Sequence, residues 1–185
     1  MREFLFFRHG LTPGNAQGRY VGRTDESLSP QGRSALSPCR WKVDVLYTSP
    51  MRRCLESAQV ICPGLAPIVV PDFRECDFGA FEYRNHVELG DDPRYQAWID
   101  SGGRLPFPEG ENSEAFRARC RSAFQPLLED STGRRAALVV HGGTIMAILS
   151  GFALPRRDYF DYQVKNGRGY RCGVENGGLR VIEEL

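Results

Sequence analysis

The chain has 185 residues, 41% hydrophobic and 11% aromatic, which is enough for one well-buried domain over 1–185 and short for two. Its 24 Lys and Arg stand against 23 Asp and Glu, a net charge of +1 without a basic tail, so no nucleic-acid partner is expected and any anion site must come from local clustering. Apolar runs such as 136–140 are far too short to cross a bilayer, the opening Met1-Arg2-Glu3-Phe4 lacks a signal-peptide layout, and the six cysteines (Cys39, Cys54, Cys62, Cys76, Cys120, Cys172) form no C-x-x-C pair. The expectation is a cytoplasmic protein with no membrane partner, no metal and no cofactor, whose cysteines are small buried hydrophobes.

From the N-terminus, 3–7 reads as a strand, 44–47 as a second, and 51–62 as a helix stopped by Pro63-Gly64. A third strand is expected at 67–70. After a polar, Gly- and Pro-rich middle section, 113–129 has helical periodicity, with Phe116, Cys120, Phe124 and Leu127 or Leu128 on one face that should cover a sheet. The most hydrophobic strand, 135–140, is followed by a helix over 142–154 that Pro155 ends. The stretch 170–182, with Asn176-Gly177-Gly178 at its middle, reads as a hairpin and hence an antiparallel edge. Together these elements predict an α/β fold: a three-layer α/β/α sandwich with a mainly parallel sheet.

In such sheets ligands bind outside the carboxyl ends of the strands. Arg8-His9-Gly10, with Thr12 and Asn15 just beyond, follows the first strand. His141-Gly142-Gly143 follows the strand at 135–140, so adjacent parallel strands would bring both histidines to one rim. Two further exits carry Ser49-Pro50-Met51-Arg52-Arg53 and Phe73-Arg74-Glu75 ahead of Asp77-Phe78-Gly79. Phosphoryl transfer asks for this set: a nucleophile, a charge clamp for the equatorial oxygens, and an acid for the leaving oxygen. Arginine supplies a planar, permanently charged, multidentate clamp, and helix N-termini at Gly10 and Gly142 would add oriented N–H groups.

The segment Phe6-Phe7-Arg8-His9-Gly10-Leu11-Thr12-Pro13-Gly14-Asn15, continued by Gly22, Asp25, Leu28, Ser29 and Gly32, resembles the signature of the histidine phosphatase superfamily, the phosphoglycerate mutase-like proteins. Ser49-Pro50-Met51-Arg52-Arg53-Cys54 resembles that family's second arginine motif, with Arg53 rather than Arg52 the functional residue. Arg74-Glu75-Cys76-Asp77-Phe78-Gly79-Ala80-Phe81-Glu82 resembles its acid-bearing segment, and Val140-His141-Gly142-Gly143 its second-histidine motif. Departures at Leu11, Pro50, Cys54 and Ser57 remove no catalytic group. The resemblance implies a phosphohistidine on His9, a phosphate site of Arg8, Asn15, Arg53, His141 and Gly142, and Glu75 as the acid. It also implies Thr24, Phe78 and Glu82 as substrate-facing residues. The implied partner is a small phosphate ester, and the oligomeric state stays open.

Each piece has a plainer reading. Arg-His-Gly arises by chance in about one chain in a hundred of this length. His141 before Gly-Gly also suits a tight turn, Arg53 a solvated helix position like Arg52, and Glu75 a surface pair with Arg74; the third histidine, His86, reads as solvent-facing. Substrate identity is expected to lie in 78–112, where Phe81, Tyr83, Trp98 and Phe107 are candidates for a pocket wall, Trp98 more plainly as a helix anchor. Arg84, Arg94 and Arg104 are available for a carboxylate. Within 92–98 and 108–112 the chain resembles the α-ribazole phosphatase branch, which implies a nucleotide-like 5′-phosphate of cobalamin assembly as substrate, and broad-specificity phosphatases share similar versions of these motifs, which implies the alternative of a broad-specificity phosphatase. A phosphoglycerate mutase would reuse the same residues in a longer chain, and a non-enzymatic phospho-ligand module would not need His9, Glu75 and His141 intact.

Overall fold

The computed structural model describes residues 2–130 and 135–185. Strand β1 (Glu3–Arg8) is followed by the short helices α1 (Pro13–Ala16) and α2 (Pro30–Ser34), each started by a proline and capped by the hydroxyl of Thr12 or Ser29. Then come β2 (Val45–Thr48), α3 (Arg52–Ile61), β3 (Ile68–Val69), α4 (Pro93–Asp100), α5 (Ser113–Glu129), β4 (Arg135–Val140), α6 (Gly142–Phe152), β5 (Gly169–Glu175) and β6 (Gly178–Glu184). The six strands form one sheet in the order β3-β2-β4-β1-β5-β6. The first four run parallel, while β5 and β6 are antiparallel. Asn176 and Gly177, both with positive φ, make the two-residue turn of the closing hairpin.

Alternation along the central strands explains why both faces are covered. In β1, Phe4 and Phe6 join the core beneath α5 and α6, whereas Leu5 and Phe7 join the core beneath α3. In β4, Ala136, Leu138 and Val140 share the first side, and Ala137 and Val139 the second. Strands buried on both faces read as unbroken apolar runs, as these do. Helix α5 presents Phe116, Cys120, Phe124 and Leu128, four positions spaced by four residues, and caps its start with the Asn112 side chain on the N–H groups of Glu114 and Ala115.

The expected sandwich is the observed one, with element ends differing by one or two residues. The two-residue differences are at 142–154, where the helix ends at Phe152, and at 170–182, where the hairpin runs on to Glu184; at 67–70 pairing is confined to Ile68–Val69. Among the described residues no helix is long and apolar enough to cross a membrane.

Candidate active site

β1 and β4 end side by side: Arg8 is in register with Val140, and the His9 N–H donates to the Val140 carbonyl at 3.0 Å. His9 and His141 therefore leave the sheet at one rim, ring centroids 5.2 Å apart and planes at 69°. Nδ1 of His9 lies 2.8 Å from the Gly10 carbonyl oxygen, which can only accept, so this nitrogen carries the proton and the lone pair sits on Nε2. The Gly10 N–H donates to Ser57 Oγ on α3 at 2.9 Å, and a Cβ at Gly10 would stand 2.8 Å from the Gly32 carbonyl oxygen. The turn after β1 is thus held by its surroundings as well as by its own conformation. Burial, then the charges of Arg53 and Arg8, push the His9 pKa well below the ordinary imidazole value, and the ring is neutral.

Ser49, at the exit of β2, and Arg53, in the first turn of α3, approach from the other side. His141 Nε2 lies 2.7 Å from Ser49 Oγ, and burial and the same two arginines hold its pKa well down. The Arg53 guanidinium is fully buried. Its Nη1 donates to the Thr24 carbonyl at 2.8 Å and Nη2 to the carbonyls of Gly22 (2.9 Å) and Val21 (3.2 Å). The loop that receives it is closed by Glu82, whose Oε1 accepts from the N–H groups of Gly22 (3.0 Å) and Thr24 (2.8 Å) and from the Thr24 hydroxyl (2.7 Å). At Gly22 a Cβ would fall 2.2 Å from the Cys76 carbonyl oxygen, a clash no side chain can relieve.

Glu75 arrives on the loop after β3 with its carboxyl 11% exposed, 4.0 Å from His141 Nδ1, accepting from the Cys76 N–H at 3.0 Å. Burial raises its pKa against the opposing pull of that N–H, Arg53 and Arg8. Arg74 pairs with Asp72 instead, so the plainer surface-pair reading of Glu75 does not describe this protein. Helix α6 begins at Gly142 without a side-chain cap, and a Cβ at Gly143 would stand 2.6 Å from Glu75 Oε1. Arg8 Nη1 donates to the Val164 carbonyl at 2.8 Å. Among the described residues, the buried Nε atoms of Arg8 and Arg53 have no hydrogen-bond partner.

Arg8, His9, Asn15, Glu75, Phe78 and Gly142 line one cavity of about 280 Å³. His141 and Arg53 sit directly behind it with no solvent exposure, and Asn15 Oδ1 accepts from the Asn166 amide at 3.0 Å. Thr24 and Glu82 are not on the cavity wall; their groups are engaged with each other and with the loop that holds Arg53. Trp98 and Phe107 do line the cavity, but Phe81 lies fully buried behind them and Tyr83 faces outward to Glu26. Arg84, Arg94 and Arg104 also lie off the wall, the first two beside Asp92. Wall residues absent from the sequence analysis include Arg19, Tyr20, Arg117, Tyr159 and Phe160. Ser113 and Arg117, four residues apart on α5, form a stripe beside its buried face, and that spacing was the available signal. His86 is exposed and away from the site.

The rim therefore joins a neutral imidazole with a free nitrogen, two guanidiniums, a second buried imidazole, an uncapped helix start and a carboxyl whose pKa burial raises. This set can bind a phosphoryl group, accept it on nitrogen and protonate a departing oxygen. The sequence matches the description "Histidine phosphatase superfamily (branch 1)" over residues 4–184. A Hydrogenobacter thermophilus protein named for phosphoserine phosphatase activity is 30% identical over 158 residues, 80% of this chain and 77% of the relative. The adenosylcobalamin/alpha-ribazole phosphatase of Escherichia coli is 24% identical over 90% of this chain and 87% of its own. The crystal structure of the alpha-ribazole phosphatase from Shigella flexneri superposes with a TM-score of 0.84 at 22% identity, covering 97% of this chain and 95% of that one, and shares the fold.

Proposed function

The chain belongs to the histidine phosphatase superfamily, and we propose that it is a metal-independent phosphatase that hydrolyses small phosphate monoesters through a phosphohistidine on His9. The observation that carries this reading is the hydrogen bond from His9 Nδ1 to the Gly10 carbonyl, which leaves Nε2 unprotonated at the cavity. In the first step Nε2 attacks phosphorus in line, the ester P–O bond breaks, and the Glu75 carboxyl gives its proton to the departing oxygen. In the second, the Glu75 carboxylate takes a proton from water as the water oxygen attacks phosphorus, and the P–N bond breaks to release phosphate. Arg8, Arg53, Asn15, His141 and the N–H groups at Gly142 stabilise charge on the equatorial oxygens throughout. The unpartnered Nε donors of Arg8 and Arg53 support that assignment. Thr24 and Glu82 act behind the pocket, keeping the carbonyls that orient Arg53 in place.

The leaving-group side supports a ring-bearing alcohol. Tyr20, Phe78, Trp98, Phe107 and Phe160 offer flat apolar surface there. The finer reading is a nucleoside-like 5′-phosphate such as α-ribazole 5′-phosphate, turned over in the cytoplasm by one domain spanning 1–185. Rapid quench with ³²P-labelled ester tests the chemistry. Acid-labile, base-stable label on the wild type, absent from His9→Ala, is the expected result, with turnover that survives exhaustive chelation. Activity lost on chelation and restored by Mg²⁺ or Zn²⁺ overturns metal independence. The finer reading expects a higher kcat/KM for α-ribazole 5′-phosphate than for 3-phosphoglycerate, and fails if the latter is the better substrate or is isomerised faster than phosphate appears.

A further inference from the structure

Among the described residues, one cation on the leaving-group side has no counter-charge. Arg117 lines the cavity from the second turn of α5, half-buried, with its guanidinium carbon 4.0 Å from the centre of the Tyr159 ring. Its neighbours are engaged: Arg19 with Glu88 at 2.8 Å, Arg119 with Glu111 at 2.8 Å, Arg121 with Glu114 at 3.4 Å. Arg117 makes no ion pair and no hydrogen bond among the described residues; the face of Tyr159 is its one recorded contact. Stacking on a ring orients a guanidinium while leaving its edge N–H groups free for a ligand.

The position of Tyr159 ties this cation to the departing part of a substrate. The Tyr159 hydroxyl donates to the Gly143 carbonyl at 3.4 Å, and Gly143 abuts Glu75, the proton donor to the leaving oxygen. The cations acting on His9 are Arg53 and Arg8, so Arg117 stands outside the phosphoryl clamp. We propose that Arg117 is the specificity-determining residue for the leaving group, receiving an oxyanion such as a carboxylate on the alcohol that departs, while the aromatic wall holds that alcohol's ring. The inference rests on the phosphatase reading and competes with its α-ribazole example, whose leaving alcohol offers a ring to the aromatic wall but no oxyanion to Arg117.

The test compares phenyl phosphate with its 3- and 4-carboxylates, using the ratio of kcat/KM within each protein so that folding effects cancel and comparing that ratio between proteins so that leaving-group effects cancel. A charge-assisted contact predicts a ratio of about tenfold or more for at least one isomer in the wild type. Arg117→Gln is expected to bring that ratio close to one, and Arg117→Lys to retain part of it, since lysine keeps the charge but not the planar fork. The Arg117→Gln variant should also widen the margin of α-ribazole 5′-phosphate over 3-phosphoglycerate, which loses its foothold. No carboxylate preference in the wild type, or a ratio unchanged in Arg117→Gln, overturns the receptor while turnover of phenyl phosphate leaves the phosphatase reading standing. No turnover of any of the three esters overturns both.

Discussion

The two ends of the cavity are built by different means. At the phosphoryl end, Arg8, His9, His141 and Arg53 stand at or beside strand exits, buried, with carbonyls or hydroxyls fixing their nitrogens at 2.7–3.2 Å. At the leaving-group end the wall comes from a helix flank (Arg117), the end of α4 (Trp98) and the segment after α6, where Tyr159 and Phe160 follow one another and Phe160 is 56% exposed. One end is held by many short contacts that tolerate little change. The other is a patchwork of rings packed edge to face, with centroids 5.0 Å apart for Phe78 with Phe107 and 6.2 Å for Tyr20 with Trp98, and which can be exchanged one by one. Chemistry should accordingly be all-or-none with respect to the first end and graded with respect to the second.

The sharpest way to break that contrast is at Glu75. Glu75→Gln keeps the shape and removes the proton, and is expected to lower kcat/KM for esters with poor leaving groups by about 10²–10⁴-fold while kcat/KM for activated aryl esters falls far less. Equal losses on both ester types would remove Glu75 from the acid role. The pH profile follows from the same residues. Activity needs neutral His9 and protonated Glu75; burial and the arginines lower the His9 pKa, which moves the acid limb to lower pH, and burial raises that of Glu75, which moves the alkaline limb upward. Glu75→Gln should abolish the alkaline limb of kcat/KM for aryl esters.

At the other end the expected change is smaller. Trp98→Ala removes one stacking surface, worth roughly 1–3 kcal/mol for a base on an aromatic side chain, and should reduce the preference for a ring-bearing ester by about tenfold to a hundredfold. Turnover of a ringless ester such as glycerol phosphate serves as the internal reference. An equal fall in both would mean that Trp98 supports the fold rather than the substrate.

The smallest effect is on stability, and it again separates the two ends. His9 and His141 are buried with pKa values below 6.5, so below that value the unfolded chain takes up protons that the folded one refuses. Stability should therefore fall as pH drops through about 6.5, with a slope approaching about 1.4 kcal/mol per pH unit for each imidazole. Urea unfolding between pH 7.5 and 5 checks this. The slope should flatten in His141→Gln and stay unchanged in Trp98→Ala.

Much of the phosphoryl end was legible because a strand's period and a following glycine fix where the next side chain emerges. An apolar run such as Ala136–Val140 cannot avoid the sheet interior, and the residue after it must appear at the rim. Arg8, His9, His141 and Glu75 were accessible to that argument, and so was the face of α5 from Phe116 to Leu128. Phe81 and Tyr83 show where it stops. Local pattern marks both as aromatics near a site motif, yet one is buried behind the wall and the other turns outward, because Tyr83 takes a positive φ that no local rule anticipates.

The sequence by itself determined the mainly parallel sheet and the rim where the candidate residues emerge, since those follow from short-range periodicity. Only the tertiary structure decided that Thr24 and Glu82 serve Arg53 rather than the cavity, and that Arg117 lies on Tyr159 at the cavity wall. These are contacts across 29 to 58 residues and between segments joined by irregular chain. Their geometry depends on how loops settle on the packed core, a balance of many small long-range terms that no local pattern records.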